Sequence, residues 1–178
     1  IFYDLLYNVS SIEIVAHRSV WSAIFLFLYL YFFLGLNRKL FLKGLNEIGL
    51  LFLAGILIAI NWYGFIYAVT SGNALQASLG YYIFPLVAVF LGIVFKREKF
   101  TIIQTLAICL VIIAVVSLIY MNGEVPGLAL ILAFSFGFYG LIKSNVKLNP
   151  ISSVAYETIL ITPLVIIVMI LFTEPTVN

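Results

Sequence analysis

The first residues with a potential for chemistry are a neighbouring histidine and arginine, His17 and Arg18, at the start of a long apolar stretch. A charge inside a hydrocarbon layer costs a few kcal/mol unless it is paired or hydrated. Trp21 follows His17 by four positions, so the two side chains share one face of a helix. We expect Arg18 to line a solute cavity, or else to reach lipid headgroups or pair with Glu13. His17 is either a proton-coupling group or a packed, hydrogen-bonded residue.

A second charge lies in the last apolar stretch, at Glu157. Aligning Ala16 with Ala155 places Arg18 opposite Glu157, and the two stretches run in opposite directions across a membrane. Such a pairing is typical of an inverted repeat. It predicts that Arg18 and Glu157 lie near opposite mouths of one pathway and are not direct partners. The alternative is a carboxylate that reaches interfacial water.

An amide lies in the middle of another apolar stretch, at Asn61, followed by Trp62. With Phe65 four residues on, Asn61 forms a polar and aromatic face of the kind that recognises amphipathic solutes. An asparagine that joins two helices is the equal alternative. A few aromatic residues are candidate walls of a cavity: Trp21, Trp62, Tyr67 and Tyr82.

Prolines and small residues shape the helices that would carry these groups. Pro85 and Pro163 are expected to kink or open their helices, as in the bent helices beside transporter binding sites. A stripe of small residues predicts close helix packing and consists of Ala129, Ala133, Gly137 and Gly140.

The whole composition requires a membrane. Of 178 residues, 65% are hydrophobic and 9% charged, and the mean hydropathy is +1.23, whereas a soluble domain carries about 25% charged residues. Uninterrupted apolar runs of about 20 residues predict membrane-spanning helices. The sequence therefore predicts an all-α, polytopic membrane helix bundle with spans at about 14–36, 48–70, 78–95, 101–120, 127–142 and 155–172.

The basic residues predict an orientation for these spans. Eight of the nine lysines and arginines fall in three loops on one side, at 37–47, 96–99 and 143–150. The opposite loops, at 71–77 and 121–126, carry none. Cytoplasmic loops are rich in Lys and Arg, so we expect the basic loops to face the cytoplasm of a bacterium, with the chain in its inner (plasma) membrane.

Several functional classes lack their motifs. One histidine and one cysteine cannot form a metal site of the usual kind, and phosphate-binding and metalloprotease signatures are absent. A net charge of +2 gives no reason to expect a nucleic acid. We therefore expect no catalytic residues, no metal and no cofactor, and a protein that is not an enzyme.

The polar segments resemble a known family. Residues 13–22 (EIVAHRSVWS) are similar to the second-helix signature of RarD-type permeases, in the EamA branch of the drug/metabolite transporter superfamily. The resemblance continues through Asn61-Trp62, residues 76–86 (QASLGYYIFPL), residues 134–141 (FSFGFYGL) and Glu157. It covers nearly the whole chain in order. Ala107 departs from the glycine that is frequent in the fifth helix.

The resemblance implies ten helices in two inverted repeats of five, with both termini cytoplasmic. This chain would supply about helices two to seven: residues 1–120 as the first repeat, without most of helix one, and 127–178 as the start of the second. The family's central cavity is lined by helices one to four and six to nine. Arg18, Asn61, Tyr82 and Glu157 would then lie on lining helices, and Cys109 on a peripheral one.

The function that the resemblance implies is secondary transport of a small metabolite or drug-like solute by alternating access. The expected partners are the lipid bilayer and that solute, while self-association is left open. Two alternatives are a membrane enzyme that acts on a lipid or hydrophobic substrate, and an inactive, truncated remnant of a transporter.

Overall fold

Every regular element in the described part of the chain is helical. The computed structural model describes residues 9–34, 44–97, 99, 101–122 and 126–172. Its helices are α1 (Ser11–Tyr29, continued by a π-helical turn, Leu30–Leu34), α2 (Leu45–Thr70), α3 (Ala74–Lys96), α4 (Ile102–Asn122), α5 (Gly127–Lys143) and α6 (Pro150–Phe172). The prediction of an all-α bundle is confirmed.

Some predicted features lie outside the described residues. They include Arg38, Lys39 and Lys43 of the first basic loop, and the chain ends at 1–8 and 173–178. Glu98, Gly123 and Glu124 also fall there.

Helix α6 begins at Pro150 rather than near residue 155, because Asn149 and Pro150 form a helix start. The Asn149 side-chain oxygen accepts a hydrogen bond from the Ile151 N–H (3.0 Å), and Ser153 N–H donates to the Asn149 carbonyl (2.9 Å). Asparagine is a preferred N-cap and proline a preferred first helical residue. The earlier start places Ser153 within α6, one turn before Glu157.

Helices α2 and α3 form a hairpin around Gly72. Gly72 has a φ of 78°, a left-handed conformation that glycine adopts without steric cost. Ser71 N–H donates to the Tyr67 carbonyl (2.9 Å) and Gly72 N–H to the Val69 carbonyl (3.3 Å), so the last carbonyl groups of α2 are satisfied. Helix α3 then begins at Ala74, earlier than the predicted residue 78.

The most extensive packing joins α3 and α5, which run parallel. A Cβ on Gly80 would lie 2.8 Å from Leu132 Cβ, and one on Gly137 would lie 2.7 Å from Val87 Cγ1. These glycines bring the helix surfaces close enough for van der Waals contact to hold them together in lipid.

The other helices arrange themselves around that pair. Helix α1 packs along α6, α2 lies between them and α5, and α4 packs against α3. Much of α4 is exposed, including Leu106 and Leu110. This peripheral place agrees with the one that the family resemblance implies for the fifth helix.

Among the described residues, four helices are long and apolar enough to cross a membrane: Ser11–Phe33, Leu45–Thr70, Ala74–Lys96 and Pro150–Phe172. Shorter apolar helices are found at Ile102–Ser117 and Gly127–Lys143. The bundle has two distinguishable ends. We call the end with Gly44, Arg97 and Ser144 the basic end, because Lys96, Arg97, Lys143 and Lys147 lie there; the end with Ser10, Ser71 and Pro126 is the opposite end.

Candidate functional site

Arg18 lies on an aromatic ring of the neighbouring helix. Its guanidinium carbon is 4.2 Å from the centroid of the Trp62 ring, a cation–π contact between α1 and α2. The side chain is exposed on the surface of this bundle. No ion pair within 4 Å joins Arg18 to Glu13, and the structure describes both residues. The guanidinium thus rests on an aromatic face, keeps its full charge and remains accessible to a further partner.

Asn61 joins α2 to α5. Its side-chain nitrogen donates to the Leu132 carbonyl (2.9 Å) and to Ser135 Oγ (3.1 Å), and the residue is buried. Both hydrogens of the amide nitrogen are therefore used within the bundle. The geometry favours the helix-joining interpretation of Asn61, and the residue fixes the neighbouring Trp62 relative to α5.

Glu157 is buried in a charge pair at the basic end. Its side chain is only 2% exposed, and its Oε1 forms an ion pair with Lys143 Nζ, at the last residue of α5. Ser153 Oγ donates to the same carboxylate oxygen (3.3 Å). A carboxylate removed from water needs such partners, since an unpaired buried charge is costly.

The Lys143 ammonium has three kinds of neighbour. It donates to Glu157 Oε1 and to Ser153 Oγ, and it lies 5.8 Å from the centroid of the Tyr139 ring. On the third side of Glu157, helix α2 approaches closely: a Cβ on Gly55 would be 3.0 Å from the Glu157 carbonyl oxygen. Carboxylate, hydroxyl and aromatic ring together form a compact cation site, which we call the ammonium cage.

Arg18 and Glu157 do not contact each other. Arg18 packs on α2 through Trp62, whereas Glu157 pairs with α5 through Lys143. The helices that carry them nevertheless pack side by side, and Thr162 Oγ1 of α6 donates to the Ser19 carbonyl of α1 (3.4 Å). A pathway between the two groups stays a prediction.

The remaining candidate residues are spread over the surface. His17 and Trp21 are exposed, and the Trp21 ring lies 6.1 Å from the Phe25 ring. Tyr82 is 72% exposed and lines a groove between α3 and α4, away from the contact of Asn61 with α5. Tyr82 therefore does not meet the other candidate residues, because it lies on the α4 side of its helix.

The helix-shaping residues differ among themselves. Pro85 and Pro163 lie on exposed surfaces inside continuous helices. Ala129, Ala133 and Gly137 are buried, whereas Gly140 is exposed and a Cβ there would meet nothing within 4 Å. The close packing thus ends before Gly140.

Sequence reasoning missed the partners of the polar candidates. The spans predicted from the sequence leave Lys143 in a loop, and the sequence pattern gives no separate role to Ser135, Tyr139 or Ser153. Two signals could have revealed them: the Asn149-Pro150 helix start places Ser153 one turn before Glu157, and Tyr139 precedes Lys143 by one turn on α5.

An apolar groove of about 230 Å³ lies between α1, α2 and α6. It is lined by Val15, Ile56, Tyr63, Ile161 and Val165, among others. The groove presents no charged group, so any solute contacts there would be hydrophobic.

Comparison with known proteins gives the family of the chain. Residues 1–120 match the model of the EamA-like transporter family. The chain is 41% identical over 168 residues to the uncharacterized transporter YojE of Bacillus subtilis, covering 92% of this chain and 56% of YojE. It is 36% identical over 167 residues to Protein RarD of Escherichia coli, covering 91% of this chain and 55% of RarD.

A more distant relative carries a phenotype in its name. The chloramphenicol-sensitive protein RarD of Pseudomonas aeruginosa is 27% identical over 168 residues, covering 92% of this chain and 56% of that protein. The chain spans about half the length of these curated relatives. No solved structure matches it. On these similarities and its apolar helical bundle, the chain belongs to the EamA-like transporter family as a RarD-type, multi-pass bacterial membrane protein.

Proposed function

We propose that the protein containing this chain is a secondary transporter of a small metabolite or drug-like solute. The helices described above would form part of its solute pathway, in the inner membrane, with the basic end in the cytoplasm. The proposal extends family membership to a mechanism, alternating access, in which one repeat rocks against the other around a midplane site.

The observation that supports the proposal most strongly is the exposed guanidinium of Arg18 over Trp62. A cation within a membrane-spanning helix is costly and usually faces an aqueous cavity or a polar partner. Arg18 lies on α1 and is held against α2, whose Asn61 is fixed to α5. Three helices thus support one polar and aromatic surface, which suits a solute with a polar group and an apolar body.

The two polar clusters also suit a pathway with two mouths. Arg18 lies on the half of α1 nearer the opposite end, and the ammonium cage lies at the basic end. Solute that entered beside one cluster would leave beside the other. The intervening α1–α6 contact would have to slide or rock, and its hydrogen bond from Thr162 Oγ1 to the Ser19 carbonyl is long at 3.4 Å.

Transport assays test the proposal directly. The full-length protein is reconstituted in liposomes, and uptake is measured for a panel of anionic, cationic and neutral small solutes, including chloramphenicol. We expect uptake of at least one solute, and a loss of about tenfold or more in Arg18→Ala, because a transferred or bound charge loses its partner. Lys147→Ala, a change in an exposed lysine of the basic end, is the matched control.

Two results would contradict different parts of this proposal, the first its function and the second its assignment of Arg18. If no solute crosses the membrane faster than in protein-free liposomes, transport fails as the function. If Arg18→Ala and Lys147→Ala transport equally well, transport stands but the Arg18 surface is not part of the pathway.

A further inference from the structure

We infer that the ammonium cage formed by Glu157, Ser153 and Tyr139 is a binding site for the cationic amine of a solute, and that Lys143 occupies it when no solute is bound. The inference rests on the proposed function and names a substrate class for it: small solutes with a protonated amino group.

The cage has the chemistry of an ammonium site. Primary ammonium groups carry three donors and no acceptor. Glu157 offers an ionic acceptor, Ser153 a hydroxyl acceptor, and Tyr139 the face of an aromatic ring, at 5.8 Å from the cation. Charge-assisted hydrogen bonds and cation–π contacts are the interactions that recognise such groups. A solute amine would make the same contacts with Glu157, Ser153 and Tyr139 that the Lys143 ammonium makes.

The cage is also asymmetric in a way that permits exchange. The Glu157 side chain is 2% exposed and lies inside the bundle, whereas the Lys143 side chain is 19% exposed. Lys143 is the last residue of α5, so its long flexible stem can carry the ammonium out to water at the basic end. The carboxylate would then require another cation, because an unpaired buried charge is destabilising.

Among the described residues, Lys143 is the cation that pairs with Glu157. Helix α2 meets Glu157 at Gly55, which has no side chain, and the buried α2 residues nearby, Leu51 and Ala54, are apolar. On α1, the polar residues Glu13, His17 and Arg18 belong to the half of the helix nearer the opposite end. A solute cation would therefore compete with one internal lysine.

Equilibrium binding to the purified full-length protein provides the test, with n-propylammonium chloride as the probe and n-propanol as its neutral counterpart. We expect saturable binding of the amine to the wild type and at least tenfold tighter binding to Lys143→Ala, because the internal competitor is gone. Lys143→Ala/Glu157→Gln should bind neither probe, and Lys147→Ala should match the wild type.

If Lys143 has only a structural role and never leaves Glu157, the binding measurements will give different results. If the wild type binds no amine, even when Lys143→Ala does, the pair never opens and the inference is overturned. Equal binding of propanol and propylammonium would overturn it as well. Should Lys143→Ala fail to fold, Lys143→Met, which retains the apolar stem, takes its place with methylammonium as the probe.

Failure of this inference can be distinguished from failure of the proposed function. Uptake of other solutes by a wild-type protein that binds no amine overturns the ammonium site and leaves transport in place. Saturable amine binding by a protein that transports no solute, the amine included, supports the site and overturns transport.

Discussion

Two cations in this bundle are accommodated in opposite ways. Lys143 is paired with a buried carboxylate between α5 and α6, while Arg18 lies exposed on the Trp62 ring between α1 and α2. Inside a bundle, a lysine ammonium and a carboxylate in contact offset each other's charge, so neither is available to a further partner. An arginine over an aromatic face keeps its charge available, because the ring neutralises nothing. We therefore assign Lys143 to a closed site and Arg18 to an open surface.

The largest expected effect on stability comes from breaking the ion pair between Lys143 and Glu157. Lys143→Met should destabilise the protein by about 3–5 kcal/mol, since it leaves the buried Glu157 charge without its cationic partner. Glu157→Leu should cost less, because Lys143 is partly exposed and can reach water at the basic end. Unfolding of the two variants in detergent micelles, followed by tryptophan fluorescence, measures the difference.

The double variant Lys143→Met/Glu157→Leu is the control for that prediction. Replacing both charges by apolar residues of similar volume is often neutral for stability. Equal losses in the two single variants, or an additive loss in the double variant, would show that the pair is not buried as described.

The next effect concerns the packing that holds α5 in place. Gly137→Ala should cost about 1–3 kcal/mol, because the new Cβ would lie 2.7 Å from Val87 Cγ1, and overpacking forces such neighbours apart. Gly140→Ala, one turn further along the same helix, should be neutral or stabilising by about 0.5–1 kcal/mol, since alanine is the better helix former and meets nothing within 4 Å. The same unfolding measurement compares the stabilities of the two variants. Equal effects at both positions would contradict the close α3–α5 contact.

A smaller effect is expected at the link between the two regions. Asn61→Ala removes the donors to the Leu132 carbonyl and Ser135 Oγ, and interhelical hydrogen bonds in membranes contribute about 0.6–1.7 kcal/mol. Asn61→Ala should therefore lose about 1 kcal/mol of stability. Tyr63→Phe, an exposed change on the same helix, is the control, and no loss in Asn61→Ala would indicate that the amide is free to contact solute.

The smallest effect on stability should come from replacing the exposed cation, Arg18. Arg18→Ala removes an exposed cation–π contact, which contributes about 0.5–1 kcal/mol. Arg18→Lys should recover part of it, because lysine keeps the charge but stacks less well. A loss above 3 kcal/mol in the unfolding assay would mean that Arg18 is a buried structural group, and the contrast with Lys143 would disappear.

The sequence predicts the helices well and their contacts poorly, for a physical reason. Apolar runs bounded by charges and turn residues locate the helices, and the errors fall where a cap extends a helix, as at Asn149-Pro150. In lipid, however, the outer faces of helices are as apolar as their packed faces. The pattern therefore does not indicate which face meets which neighbour.

The polar residues illustrate that limit. Arg18, Asn61 and Glu157 are polar residues in an apolar sequence, so they could be singled out from the sequence alone. Their partners could not, because Trp62 is adjacent to Asn61 in sequence yet faces Arg18 of another helix. The predicted span ends before Lys143 because its charge interrupts the apolar run. Only the packing of both α5 and α6 against α2 brings the Lys143 side chain to Glu157.

The most direct test of the account is solute uptake by the reconstituted full-length protein, compared among wild type, Arg18→Ala and Lys147→Ala. The account predicts uptake by the wild type and by Lys147→Ala, and at least a tenfold loss in Arg18→Ala despite its nearly unchanged stability. Uptake by Arg18→Ala equal to that of the wild type would contradict the assignment of Arg18 to an open solute surface.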